Sequence, residues 1–200
     1  ATVLCVSSVE IYGNARGSDF FTEKYTGDLN LSTARSCYTE SKRVCESMCQ
    51  SYISEKNINA KIVRLSRIFG PTMLESDTKA SSQFIKKALN GEDIVLKSKG
   101  EQLFSYTYVA DAVSAMLHVM LNGENGMAYN VSNRNCNVKL KDFAAECARF
   151  AGKNVVFELP SETEQKGYSV AMYAVLDNSR LENANWKPGY DFKNAIKILH

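Results

Sequence analysis

The sequence predicts an α/β protein: part of a parallel sheet, followed by a smaller C-terminal α/β lobe. Three observations carry this. An apolar run opens the chain, a long helical segment follows, and a β-branched run comes next. Strand, helix and strand in that order make a βαβ unit, which sets its two strands parallel.

Ala1–Val6 (ATVLCV) is apolar almost without interruption, the pattern of a strand covered on both faces in the middle of a parallel sheet. A chain rarely starts at such a strand, so a preceding N-terminal portion is expected. Residues 19–34 show no clear period and read as loop. A helix is expected from about Ser36 to Lys56, with Val44, Met48, Tyr52 and Ile53 as its apolar positions and Asn57 ending it. Ala60–Leu65 then alternates and gains β-branched residues, as a strand does.

Phe69-Gly70-Pro71 interrupts the pattern and opens the second lobe. There Ser81–Leu89 reads as a short amphipathic helix, and Ile94–Leu96 and Tyr106–Val109 as strands. Ala110–Leu121 is a strongly apolar helix closed by Asn122-Gly123. Ala128–Val131 is a short strand, Leu140–Ala151 a helix, and the loop-rich remainder ends in a weak helix over Asp191–Leu199. Residues 1–70 thus form the sheet-bearing domain and 71–200 mainly the second lobe, with 106–122 returning to the first.

Composition narrows the function classes. Of 200 residues, 44% are hydrophobic and 23% charged, and the 24 basic and 22 acidic side chains are interleaved, so no basic stripe points to nucleic acid. Charged residues interrupt every apolar run before it could span a bilayer, and no secretory leader pattern opens the chain. The six cysteines lack CxxC or His partners, so no metal site is expected and reduced thiols in a cytoplasmic protein are. His118 lies within an apolar helix and reads as packed; His200 falls outside every motif. Tyr106, Tyr108, Met116 and Met120 read as core.

The sharpest chemical feature is Tyr38-Thr-Glu-Ser-Lys42 near the start of the long helix. A spacing of four puts both side chains on one face, about one turn apart. A phenol titrates near ~10, so alone it is a poor base at neutral pH. An ammonium close by stabilises the phenolate, and such a tyrosine can take the proton of a substrate hydroxyl while hydride leaves the same carbon. Ser8 and Glu10 follow the first strand, where open α/β sheets place ligands and reactive groups. Ser8 is positioned to donate to the oxygen on which Tyr38 acts, and Glu10 to serve as a second acid or base.

Several segments extend this pattern in order along the chain: Ser8–Gly13, Arg35-Ser-Cys-Tyr-Thr-Glu-Ser-Lys-Arg43, Arg64-Leu-Ser-Arg-Ile-Phe-Gly-Pro71, Tyr106-Thr-Tyr-Val-Ala-Asp111, Tyr129-Asn-Val131, Asp177-Asn-Ser-Arg-Leu181 and Trp186-Lys-Pro188. Together they resemble the extended short-chain dehydrogenase/reductase family, in particular its nucleotide-sugar epimerases, dehydratases and decarboxylases. The tyrosine segment is very similar to that of UDP-glucuronate decarboxylases. The resemblance implies a partial Rossmann-like sheet with a substrate lobe, NAD or NADP as cofactor, a nucleotide-sugar substrate and a homodimer paired through the tyrosine helix. It implies Ser8, Tyr38 and Lys42 as catalytic triad, Glu10 as acid/base, and Tyr38, Lys42, Leu65 and Ser66 beside the cofactor. Arg67 would lie near the substrate's phosphates.

The departures bear on the reaction. Val9 stands where dehydratases of the family have Asp and decarboxylases often Ser, and Arg67 where many members have Asn. Phe104 replaces an Arg that grips the substrate pyrophosphate or assists decarboxylation, and an aromatic ring cannot substitute for a forked cation. The eleven glycines form neither GxxGxxG nor GxGxxG, so the resemblance implies that the cofactor's phosphate-binding half lies before Ala1. Two functions compete: a nucleotide-sugar enzyme, epimerase first and dehydratase or decarboxylase next, and a non-catalytic member that keeps the fold as a binding module.

Overall fold

A computed structural model describes residues 1–15, 17, 20–33, 36–158 and 171–199 of the chain. Arg35 and His200 lie outside the described residues, as do both ends of the loop expected over residues 19–34. Strand β1 (Thr2–Ser8) runs into a 3₁₀ turn (Val9–Tyr12), followed by α1 (Ser36–Lys56), β2 (Asn59–Leu65) and β3 (Arg67–Phe69). Next come α2 (Ala80–Leu89), β4 (Ile94–Leu96), β5 (Leu103–Tyr108), α3 (Val109–Asn122) and β6 (Ala128–Val131). The chain continues through β7 (Asn137–Lys139), α4 (Leu140–Ala151), β8 (Val155–Phe157), β9 (Tyr173–Ala174), α5 (Ser179–Asn183) and α6 (Phe192–Ile198).

The first sheet is parallel, in the order β1-β2-β6. Ser8 lies opposite Leu65 and Leu65 opposite Val131, so the three strands end level with one another. Arg64 reaches Glu46 of α1, while its neighbour Val63 packs with Ala115 and Val119 of α3. Adjacent strand residues point to opposite faces, so the two helices cover opposite faces of the sheet. The second sheet joins β3, β5 and β7, with β9 on β5, over a core that includes Phe69, Tyr106, Phe143 and Phe192.

Within the described residues β1 pairs with β2 alone, at the edge of its sheet, and Val3 and Val6 are exposed at 46% and 37%. In α1, the apolar Val44, Met48 and Tyr52 point outward. The helix docks through polar side chains: Arg43 donates to the Ile11 carbonyl, Glu46 pairs with Arg64, and Gln50 donates to the Gly126 carbonyl. These polar positions recur at helical spacing, and hydrogen bonds to backbone hold a helix as apolar contact would.

Helix α3 packs with β2 and β6 of the first sheet, whereas Tyr106–Tyr108 pairs into the second sheet as part of β5. Short elements absent from the sequence reading are the 3₁₀ turns at Val9–Tyr12 and Arg134–Cys136, β3, β7, β8, β9 and α5. The C-terminal motifs staple this frame. Asp111 accepts the amides of Gly189 and Tyr190, Trp186 donates to Ser114, and Asn178 donates to the Ser132 carbonyl. His118 is held at 2.7 Å from the Ala184 carbonyl, the packed role read from sequence. Among the described residues, no helix is long and apolar enough to cross a membrane.

Candidate active site

The site forms where β1 ends. Ser8 keeps extended backbone and caps the 3₁₀ turn, its Oγ accepting the Glu10 amide at 3.2 Å. Accepting leaves the hydroxyl proton of Ser8 to donate elsewhere. Gly13 closes the turn at φ 66°, and a Cβ there would run into the Asp28 carbonyl, so glycine is required. The buried side chains of Val9, Ile11 and Tyr12 anchor the turn in the core, while Glu10 stays half-buried on the side facing Arg67.

Helix α1 brings the second half. Tyr38 lies in its first turn and is 49% exposed, with the Ser41 hydroxyl donating to its carbonyl. Lys42 places its Nζ 5.7 Å from the Tyr38 ring centroid and donates to the Val6 carbonyl at 3.0 Å. That bond ties the tyrosine-bearing turn to β1, two residues before Ser8. Sequence spacing alone gave the Tyr38–Lys42 proximity; the anchor on Val6 is a tertiary fact.

The other sequence-derived candidates divide. Leu65 ends β2 beside Ser8 and is packed on the core of the first domain. Ser66 is buried and its hydroxyl pairs with Thr107 at 2.6 Å, so this side chain is engaged with the second sheet. Arg67 faces Glu10, Nη2 to Oε1 at 3.8 Å, and its guanidinium carbon lies 3.6 Å above the Phe104 ring. Phe104, noted in the sequence only as a departure, is therefore Arg67's platform.

Beneath the site runs a polar network that the sequence reading missed. Arg64 makes a two-pronged bond to Glu46 at 3.1 and 2.7 Å, donates to the Tyr12 hydroxyl at 2.9 Å, and Tyr12 donates to Asn130 at 2.6 Å. Burial pushes the Tyr12 phenol up to about 12 despite the Arg64 charge, so it stays a proton donor. The only sequence signal was a Tyr, Arg and Glu on three different elements, and nothing in spacing joins them. Burial also drives the Cys5 thiol up to about 12, reinforced by Cys49 close by. Among the described residues, no group of three or more His, Cys, Asp or Glu is placed to hold a metal ion.

Lys42, one helical turn from Tyr38, is thus fastened to β1 two residues before Ser8. Residues 1–132 match the family model described as the NAD dependent epimerase/dehydratase family. UDP-glucuronic acid decarboxylase 1 of Xenopus tropicalis is 34% identical over 133 residues, covering 66% of this chain and 31% of its own length. Among solved structures, UDP-glucose 4-epimerase of Thermotoga maritima with UDP-glucose superposes with a TM-score of 0.83 at 18% identity, over 99% of this chain and 62% of that one. dTDP-glucose 4,6-dehydratase of Bacillus anthracis in complex with NAD gives 0.81 at 20% identity, over 99% and 60%. The chain spans about a third of that curated relative and about three-fifths of those solved chains. On this match, the chain belongs to the NAD dependent epimerase/dehydratase family.

Proposed function

We propose that the chain carries the reaction centre of an NAD(P)-dependent nucleotide-sugar epimerase or dehydratase, with Tyr38 as base. One observation supports the reading: Lys42, a helical turn from Tyr38, donates to the Val6 carbonyl at 3.0 Å, two residues before Ser8 on β1. The solved relatives that share the fold, named for UDP-glucose and dTDP-glucose chemistry, support the substrate class.

These residues fit the nicotinamide end of a dinucleotide, because a half-exposed phenol and an anchored ammonium stand at the level strand ends of a parallel sheet. When bound, the dinucleotide supplies the acceptor for hydride leaving the sugar carbon. Tyr38 Oη takes the proton of the sugar hydroxyl. Lys42 stabilises the phenolate and holds the cofactor's ribose. The Ser8 hydroxyl donates to the same sugar oxygen, and Glu10 moves a further proton where the reaction needs one. Leu65 supplies apolar contact beside the ring, Ser66 borders it through its backbone, and Arg67 reads the substrate's anionic group.

Decarboxylation is the second reading, favoured by the likeness to UDP-glucuronic acid decarboxylase. Two copies pairing through the outward Val44, Met48 and Tyr52 stripe of α1, and a reducing cytoplasmic setting for six free cysteines, belong to the same proposal.

The test is product analysis. The protein, expressed with whatever precedes Ala1 in its reading frame, is given NAD with UDP-glucose, dTDP-glucose or UDP-glucuronate, and products are resolved by mass spectrometry. An isobaric sugar marks epimerisation, loss of water dehydration, and loss of CO₂ decarboxylation. Bound cofactor without turnover of any sugar would instead make this a binding module.

A further inference from the structure

Arg67 opens β3 in register with Tyr106, and its neighbours include two groups that bear on its charge. Its guanidinium carbon lies 3.6 Å from the Phe104 ring centroid, the geometry of a face-on cation–π stack. Phe104 is buried and packs edge-on against Tyr106 at 6.4 Å, so the ring is fixed and the guanidinium lies flat on it. The second group is Glu10, whose Oε1 stands 3.8 Å from Nη2. That is ion-pair distance but too long for a hydrogen bond. Both side chains keep contact with solvent, at 22% for Arg67 and 35% for Glu10. The stack engages the flat face of the guanidinium, whereas planar oxyanions are read by its in-plane N–H edge.

We propose that Glu10, Arg67 and Phe104 form an exchangeable anion reader: Phe104 holds the guanidinium, Glu10 is its counter-ion in the free protein, and a phosphate or carboxylate of the ligand replaces Glu10. Phe104 is then a positioning residue. The Arg missing at its position is compensated by an Arg reaching in from β3, made rigid by the ring that took the place. The exchange also links binding to chemistry. Glu10 is released from Arg67 only when the ligand's anion arrives, so the carboxylate is available for proton transfer only with substrate in place. This rests on the reading of Tyr38 as base for what the ligand is, but the exchange is a binding event that needs neither hydride nor base.

A plain structural clip between the 3₁₀ turn and β3 makes the opposite forecast for the same substitutions. The experiment is calorimetric or NMR titration of the 200-residue chain at low salt, without NAD, using UDP as phosphate source, glucuronate as carboxylate source and uridine as neutral control. Glu10→Gln removes the internal competitor and tightens UDP or glucuronate, whichever is the ligand, by about two- to five-fold. Uridine affinity stays unchanged. Phe104→Leu weakens the same anion by a similar factor of about two to five while sparing uridine, and Phe104→Tyr restores it. Arg67→Gln removes the advantage of the anion over uridine. Thermal melts report folding of each variant, and Glu10→Gln with Phe104→Tyr decides the matter if Phe104→Leu does not fold. The inference is overturned if neither anion binds the unmodified chain, or if Glu10→Gln leaves affinity unchanged or lowers it. Because no turnover is read, this can fail while Tyr38 remains the base, and can hold if it is not.

Discussion

Lys42 holds its ammonium 5.7 Å from the centre of the Tyr38 ring while donating to the Val6 carbonyl at 3.0 Å. The two residues share a helix, but it is the strand that fixes where they stand. A cation so placed serves twice: it positions the helix turn on β1 and sets a positive charge beside the phenol.

Lys42→Met removes the charge and the clamp together. Turnover should fall by about a hundredfold or more, in keeping with the loss of a group that supports proton transfer. Stability should fall by only about 1 kcal/mol, because one exposed hydrogen bond is lost. Steady-state kinetics beside urea unfolding separate the two effects. Equal loss of folded protein and activity would count against a chemical role.

Glu46→Ala should be the most destabilising of the polar substitutions on α1. Both side chains of the Arg64–Glu46 pair are only 12% exposed, and the carboxylate accepts two guanidinium bonds. Truncation leaves Arg64 charged and half-paired, at a cost of about 3 kcal/mol. Met48→Ala, on the outward stripe, should cost well under ~1 kcal/mol in the monomer. Urea unfolding of the two variants checks the ranking.

The cysteines should separate by reactivity. Burial pushes the thiols of Cys136 and Cys147 up to about 12, and both are enclosed in the core, while Cys37 and Cys45 are exposed. The thiolate is the reactive form. Alkylation of folded protein near pH 8 should label Cys37 and Cys45 first, with Cys136 and Cys147 labelled only after unfolding. Peptide mass spectrometry reads the order directly.

Acid should loosen the C-terminal staple. Burial raises the Asp177 carboxyl, but the Ser179 hydroxyl and amide and the Arg134 charge outweigh it and hold the group below its ordinary value of 3.8. Glu101 is held at about 2 by hydrogen bonds from Lys139 and Lys141, though solvent at this surface site screens the charges. A carboxyl depressed in the folded state contributes stability above its unfolded value and loses it as pH falls through the folded one. Melting temperature should therefore drop as pH falls below about 4. Asp177→Asn should be less stable than the parent at pH 6 and converge with it at low pH. A gap that widens on acidification would reverse the sign.

Regular elements were legible in the sequence because period and punctuation define them. Ser36–Lys56 and Leu140–Ala151 match the expected helices, and Ile94–Leu96 and Ala128–Val131 the expected strands. β3, β7 and β9 were not, since they are defined by their pairing with β5. The docking face of α1 was not legible for a related reason. Val44, Met48 and Tyr52 recur at core spacing, yet Arg43, Glu46 and Gln50 supply the docking face by binding backbone carbonyls and Arg64. Tyr38 and Lys42 were visible because their relation is local. The Arg67–Phe104 stack joins residues on two strands, and sequence showed only that one expected cation had become a ring.

The central claim is that the Tyr38 hydroxyl takes the proton of the sugar. Its most direct test is single-turnover reduction of protein-bound NAD, followed by absorbance, in the protein expressed with its upstream sequence, comparing Tyr38→Phe with the parent. The account predicts dinucleotide binding unchanged and hydride transfer slowed by a factor of about 10² to 10⁴. Hydride transfer at the parent rate in Tyr38→Phe would contradict it.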